Sequence, residues 1–233
     1  MYYDCAMKFS SILTLMTFAG LAYGGAVVCP DNTYGAVPVT GVTGGTATSC
    51  GNAGVTANSL FVATPGGGSV VAAELQNYLG NNLAGVVPSG YFATEGSAVL
   101  LSQFTAPAGA TLQFDWAGTF ENGSTGSLFF LLNGQATVLA TQLSQPTVQG
   151  AAALQVIDPN SGTVTVGLPS GTNTLAFGAV SLESISRSGL SILEDPQLNI
   201  RNIAVTTNAV PEPGAVALTG FGLAALAIWR RRR

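Results

Sequence analysis

The sequence predicts an all-β protein, a β-sandwich or jelly roll with one short helix. Hydrophobic residues make up 47% of the 233 residues, which is enough for a core, and 30 glycines favour many tight turns. Residues 112–116 (LQFDW) alternate between apolar and polar, the pattern of a strand with one buried face. Asn133-Gly134 separates two apolar runs and predicts a two-residue hairpin turn, because both central positions of that turn need positive φ. Together these signals favour about eight to ten short strands.

The helix is predicted between Ser69 and Val87, where leucines recur at every fourth position, at 75, 79 and 83. Gly85 would end it, since Pro88 prevents a continuation. Two further strands are predicted to join around residues 169–173. The last strand should carry a bulge near Arg201, where the spacing of its apolar residues shifts.

Three segments are predicted along the chain: a signal peptide (1–24), one extracytoplasmic β-sandwich domain (25–209) and a C-terminal segment (210–233). Lys8 precedes an apolar run, and small residues at 22 and 24 are typical of a cleavage site. Either Met1 or Met7 is compatible with the start of this signal peptide.

Two cysteines remain after such a cleavage, Cys29 and Cys50. In an exported chain they predict one disulfide, which would close a loop rich in Gly, Thr and Pro. A lipoprotein anchor at Cys29 is the alternative. Val28 is bulkier than the residue that usually precedes a lipidated cysteine, and this favours the disulfide.

The predicted body is acidic. Residues 25–209 contain nine Asp or Glu and only two Arg, a net charge of −7, against −4 for the whole chain. Nucleic-acid binding depends on clustered Lys and Arg, so no nucleic-acid partner is expected.

The composition also argues against an enzyme. The chain has no histidine, which excludes a Ser-His-Asp triad and histidine metal centres. We therefore predict no catalytic residue, no metal site and no cofactor. A secreted hydrolase with paired carboxylates stays open as an alternative. It needs two of four acidic residues in one cleft: Asp115, Glu121, Glu183 and Glu194.

The aromatic residues of the central strands are predicted to form the core. They are Phe104, Phe114, Trp116, Phe120, Phe129 and Phe130. The alternative is a carbohydrate-binding module that docks on exopolysaccharide. That alternative requires an exposed aromatic strip containing Trp116.

The C-terminal segment combines three features. Prolines 211 and 213 block a helix from running back into the domain, and the uncharged stretch 214–229 predicts a short transmembrane helix. The last four residues should stop transfer and stay cytoplasmic, because each arginine costs roughly 2.5 to 3.5 kcal/mol at the bilayer centre. This membrane stop consists of Arg230, Arg231, Arg232 and Arg233.

In this order, the three features resemble the PEP-CTERM sorting signal of Gram-negative bacteria. The motif residues are Val210, Pro211, Glu212 and Pro213. The resemblance implies recognition by an exosortase, a membrane-embedded cysteine protease-transpeptidase, during a transient stay in the inner membrane. It also implies transfer to the cell surface or to the matrix of an exopolysaccharide-producing cell.

Residues 95–123 are similar to a β-sandwich region that recurs in PEP-CTERM proteins. That resemblance implies a structural calcium ion held by acidic pairs. Gly126-Ser127 and Arg201-Asn202 stand where such pairs would be expected, so no cofactor is predicted. The expected function is a non-enzymatic surface or matrix protein, structural in a biofilm.

Overall fold

The computed structural model describes residues 29–64, 69–120, 125–144, 154–156, 161–184, 196–207 and 230. Within these residues the chain is all-β with one short helix, as predicted. The elements are β1 (Asn32–Tyr34), β2 (Thr46–Cys50), β3 (Ala53–Val55), β4 (Ser59–Ala63), β5 (Val70–Val71), α1 (Ala72–Leu79), β6 (Tyr91–Ala106), β7 (Ala110–Thr119), β8 (Gly126–Leu132), β9 (Gln135–Ser144), β10 (Leu154–Val156), β11 (Ser161–Gly167), β12 (Gly171–Ser184) and β13 (Gln197–Thr207).

The strands form two antiparallel sheets. The eight-stranded sheet has the order β1-β2-β6-β12-β8-β9-β10, with β5 paired to β6, and the five-stranded sheet has the order β11-β7-β13-β4-β3. Their facing sides share one hydrophobic core. Phe114 of the five-stranded sheet makes edge-to-face contacts with Phe130 and Phe177 of the other sheet, at centroid distances of 5.3 and 4.9 Å. The two sheets therefore pack as a β-sandwich.

A second core lies on the other side of the eight-stranded sheet. Leu75 of α1, together with Leu83 and Val86 from the segment after it, packs against Phe129 and Leu131 of β8. This cover explains why the first six residues of β8 are buried without alternation.

The predicted hairpin turn and the predicted bulge are confirmed. Asn133 and Gly134 join β8 to β9 with φ values of 50° and 80°. The pairing of β13 with β7 shifts register between Arg201 and Ala204. The strands on either side of residues 168–170 also form, but they enter different sheets, so this connection crosses the sandwich.

The helix is shorter than predicted. It ends at Leu79 because Gly80 adopts a left-handed conformation, φ 61°, and the amide groups of Gly80 and Asn81 bond back to the last turn. The expectation that the helix continues to Gly85 is therefore wrong. Leu83 still joins Leu75 in the second core, reached through a turn in which Asn81 Oδ1 accepts from the Leu83 amide.

The predicted signal peptide and the predicted transmembrane segment 214–229 lie outside the described residues. In the part of the chain that the structure describes, no helix is long and apolar enough to cross a membrane.

Candidate functional site

The outer side of the five-stranded sheet is a polar surface. Along its strands, outward residues that reach solvent alternate with residues buried in the core. In β7, Leu112, Phe114 and Trp116 are buried, whereas Gln113 is exposed and Asp115 is partly exposed. At the level of Asp115, a row of outward residues crosses four strands. Its members, in strand order, are Thr163, Asp115, Arg201 and Ser59.

Asp115 is held by donors from both neighbouring strands. Asn202 Nδ2 donates to its Oδ2 at 2.7 Å, and Thr163 Oγ1 donates to its Oδ1 at 2.6 Å. These two hydrogen bonds, that of Asn202 first, hold the pKa of Asp115 below its ordinary value because they favour the ionised carboxylate. Both carboxylate oxygens thus already accept a hydrogen bond from the protein.

The bulge in β13 turns two successive polar side chains outward. Asn202 has a φ of 55°, and both Arg201 and Asn202 are exposed, while Ile203 returns to the core. The Asn202 side chain bonds to Asp115, but among the residues described no hydrogen bond or ion pair reaches the Arg201 side chain. The Arg201 guanidinium, with five donors, therefore has no partner in the part of the chain that the structure describes.

One aromatic ring lies on the same surface. Phe61 in β4 points outward between the buried Leu60 and Val62, and 43% of it is exposed. The ring occupies the space above Gly54 of β3, so a Cβ at Gly54 would overlap with Phe61 Cε1. Gly54 is buried under this ring although it faces away from the core.

An open groove of about 400 Å³ adjoins the bulge. It lies between the segment 37–40, the turn before β4 and residues 202–204, and its polar side chains include Asn58 and Asn202. Hydrogen bonds from the Thr40 amide to the Ile203 carbonyl and from the Val205 amide to the Thr40 carbonyl hold the segment against β13.

The four candidate carboxylates do not all fall in the described part of the chain. Asp115 and Glu183 do, and they belong to different sheets, in β7 and β12. Glu121 and Glu194 lie outside the described residues. Among the described residues, the side-chain partners of Asp115 are Asn202 and Thr163, and neither is a carboxylate.

The aromatic residues lie where the core prediction placed them. Phe104, Phe114 and Phe129 are fully buried, and Trp116 is 6% exposed. The surface strip built on Trp116, which the carbohydrate-binding alternative required, is therefore wrong. Sequence reasoning missed Phe61, although the alternation of Ser59–Ala63 could have placed it outward.

The disulfide between Cys29 and Cys50 is confirmed, with Cα atoms 5.1 Å apart. A cysteine sulfur in a disulfide cannot carry a lipid, so the lipoprotein alternative for Cys29 is not supported. Concerning metals, the described residues contain no group of three or more His, Cys, Asp or Glu side chains that could hold an ion.

The described residues define an all-β sandwich with one open, polar sheet face. Residues 209–233 match the model of the PEP-CTERM protein-sorting motif, so the chain carries this motif, and the resemblance seen in the C-terminal segment is confirmed. The motif implies export and processing by an exosortase. Its residues lie outside the described part, except for Arg230, which is exposed.

Comparison with curated proteins finds no match. Among solved structures, the chain is similar to the N-terminal cellulose-binding domain of β-1,4-glucanase C from Cellulomonas fimi, with 14% identity and a TM-score of 0.28 over 70% of this chain and 89% of that one. It is also similar to the xyloglucanase domain of NopAA from Sinorhizobium fredii in complex with cellobiose, with 12% identity and a TM-score of 0.26 over 72% and 92%. At these scores neither likeness supports a conclusion about function.

Proposed function

We propose that this protein is an exported, non-enzymatic component of the cell surface or extracellular matrix, which an exosortase sorts through residues 209–233. The match of those residues to the PEP-CTERM protein-sorting motif carries the proposal. The inner membrane holds the chain only transiently, and an exopolysaccharide matrix is its destination.

The order of the C-terminal features supports this route. An uncharged stretch of 16 residues is short for a membrane span, which usually takes about 20. The four arginines that follow it are too costly to cross the bilayer, so they stop transfer. The span therefore presents the VPEP motif at the outer side of the membrane.

The body supports an architectural role. Its described residues form a two-sheet sandwich with a disulfide near the N-terminal end, a construction suited to an oxidising extracellular environment. The chain contains no histidine, and both oxygens of Asp115 accept protein hydrogen bonds. Neither observation favours acid-base catalysis.

Deletion of residues 210–233, followed by fractionation of cells and medium, tests the proposal. We expect the truncated protein to disappear from the cell surface and matrix. A second variant replaces only Arg230–Arg233 with serine, which keeps the motif and the span but removes the stop; it should also lose surface display. Surface display that is unchanged by the deletion would contradict the proposal.

Mass spectrometry of the mature C-terminus gives an independent test. Exosortase processing predicts that the surface protein ends near the VPEP motif. An intact C-terminal arginine cluster on surface-displayed protein would instead indicate a protein that stays anchored by its own tail.

A further inference from the structure

We propose that the outer face of the five-stranded sheet binds a neutral polysaccharide strand. We call this surface the glycan face and define it by Phe61, Asn199, Arg201, Asn202 and Asn58. It lies on a different part of the chain from the sorting motif, so the failure of this inference would leave the sorting proposal untouched.

Phe61 provides the apolar platform. Its ring reaches sideways over Gly54 on the neighbouring strand rather than standing away from the sheet. A ring in this position packs one side against the backbone, which agrees with the burial of Gly54 and the 43% exposure of Phe61. The other side of the ring is open to solvent, where the C–H face of a sugar can stack on it.

Polar groups continue the surface along one direction. Asn199 is the cross-strand partner of Phe61, and Arg201 is the next outward residue of the same strand, about 6.6 Å further on. An amide both donates and accepts hydrogen bonds, and the guanidinium donates up to five. Sugar hydroxyl groups need both kinds of partner. An aromatic ring beside amides and an arginine side chain that has no partner among the described residues matches their chemistry.

The groove extends the surface beyond Arg201. Ser59 pairs with Arg201, and Asn58, which precedes it, lines the groove together with Asn202. Its volume of about 400 Å³ is within the range of small-molecule pockets, roughly 300 to 1,000 Å³. The ring and the groove therefore provide consecutive contacts for one extended chain of sugars.

The charge balance selects a neutral ligand. Residues 25–209 carry a net charge of −7, so the body repels a polyanion. Asp115, beside Arg201 in the sheet, keeps its charge, because hydrogen bonds lower its pKa. Arg201 is next to this carboxylate, whose negative charge reduces the attraction of Arg201 for an acidic sugar.

The glycan face can be tested with the full-length chain in mild detergent, by native electrophoresis in gels that contain a soluble polysaccharide. The neutral probes are a β-glucan, a galactomannan and dextran, and alginate is the acidic comparison. We expect retardation by at least one neutral probe. No retardation by any of the three, or retardation by alginate alone, would overturn the proposal.

Variants then locate the site. Phe61→Ala and Arg201→Gln should each weaken binding roughly tenfold. Phe92→Ala is the matched control, because Phe92 is similarly exposed (45%) but belongs to the eight-stranded sheet. Equal losses for Phe61→Ala and Phe92→Ala, or binding that neither Phe61→Ala nor Arg201→Gln changes, would refute a site on this face.

A purely structural role for Phe61, as a cover for the glycine on the edge strand, predicts a different result. In that case Phe61→Ala lowers the melting temperature without weakening binding, and Arg201→Gln changes neither stability nor binding. Arg201 has no partner among the described residues, so loss of binding in Arg201→Gln at an unchanged melting temperature supports ligand contact. An Arg201→Gln variant that binds like the parent protein counts against the proposal.

Discussion

The two sheets share one core but differ on their outer sides. Six successive residues of β8 are buried, because α1 and the segment that follows it cover the eight-stranded sheet. In β7 of the other sheet, burial alternates along the whole strand, with polar or small residues outward. The same fold thus contains one sheet whose strand β8 is buried on both sides and one sheet with an open outer face.

Because of this difference, we expect the two sheets to contribute differently to stability and to ligand binding. The central strands of the eight-stranded sheet contribute to two hydrophobic clusters, one on each side of the sheet. The five-stranded sheet contributes to one and offers its outer side to a ligand. Substitutions on the covered sheet should therefore change the free energy of unfolding, and outward substitutions on the open sheet should change mainly binding.

The largest expected effect comes from Phe129 in β8. The ring is fully buried under α1, and a side chain at the neighbouring Gly178 would overlap with it. Phe129→Ala should lower the free energy of unfolding by about 3–5 kcal/mol, measured by urea denaturation. Phe61→Ala on the open face should cost only about 1 kcal/mol. Equal losses would contradict the distinction between the two sheets.

Loss of the disulfide ranks second. It closes a loop with a sequence separation of 21 residues between Cys29 and Cys50, and the chain-entropy relation gives about 3 kcal/mol for such a loop. Replacing both cysteines with serine should lower the melting temperature and leave binding by the glycan face intact. The control is the parent protein under reducing conditions, which should match the variant. A variant as stable as the oxidised parent would show that the loop is ordered without the bond.

Local patterns predicted the local structure well. The alternation in β7, the hairpin at Asn133-Gly134 and the bulge near Arg201 depend on neighbouring residues, so the sequence could indicate them. The predicted helix is too long, because the four-residue spacing of the leucines continues past Gly80, where the helix ends. The sheet to which each strand belongs depends on partners far along the chain, so the crossing between β11 and β12 could not be predicted.

The candidate site was less predictable for the same reason. Asp115 and Asn202 are 87 residues apart and meet only through strand pairing. Trp116 and Phe61 both lie in strands with alternating burial. Which of the two rings is exposed depends on which side of its strand faces the core. The C-terminal motif could be predicted, because its features follow one another along the sequence and do not depend on contacts with distant residues.

The pH dependence of stability tests whether Tyr78 of α1 is buried against the eight-stranded sheet. Burial raises the pKa of this α1 phenol to about 12, although hydrogen bonds to Thr48 and to the Leu100 backbone oppose the shift. The folded state then binds more protons than the unfolded state between pH 10 and 12. Stability should therefore fall as the pH rises through this range. Tyr78→Phe should flatten that dependence in denaturation curves. A slope that the substitution leaves unchanged would mean that another group causes it.

Asp115 provides the smallest effect, on the open face. Its pKa lies below the ordinary value of 3.8, so its contribution to stability is present above that pH and is lost as the pH falls through the lower, folded-state pKa. Titration followed by NMR should show that Asn202→Ala raises the pKa of Asp115 more than Thr163→Val does, because the Asn202 hydrogen bond is the larger cause. The reverse order would place the main contact on the edge strand β11 instead of the bulge. In the expected order, the bulge residue that fixes the charge of Asp115 also lines the groove of the glycan face, so Asn202→Ala should weaken polysaccharide binding as well.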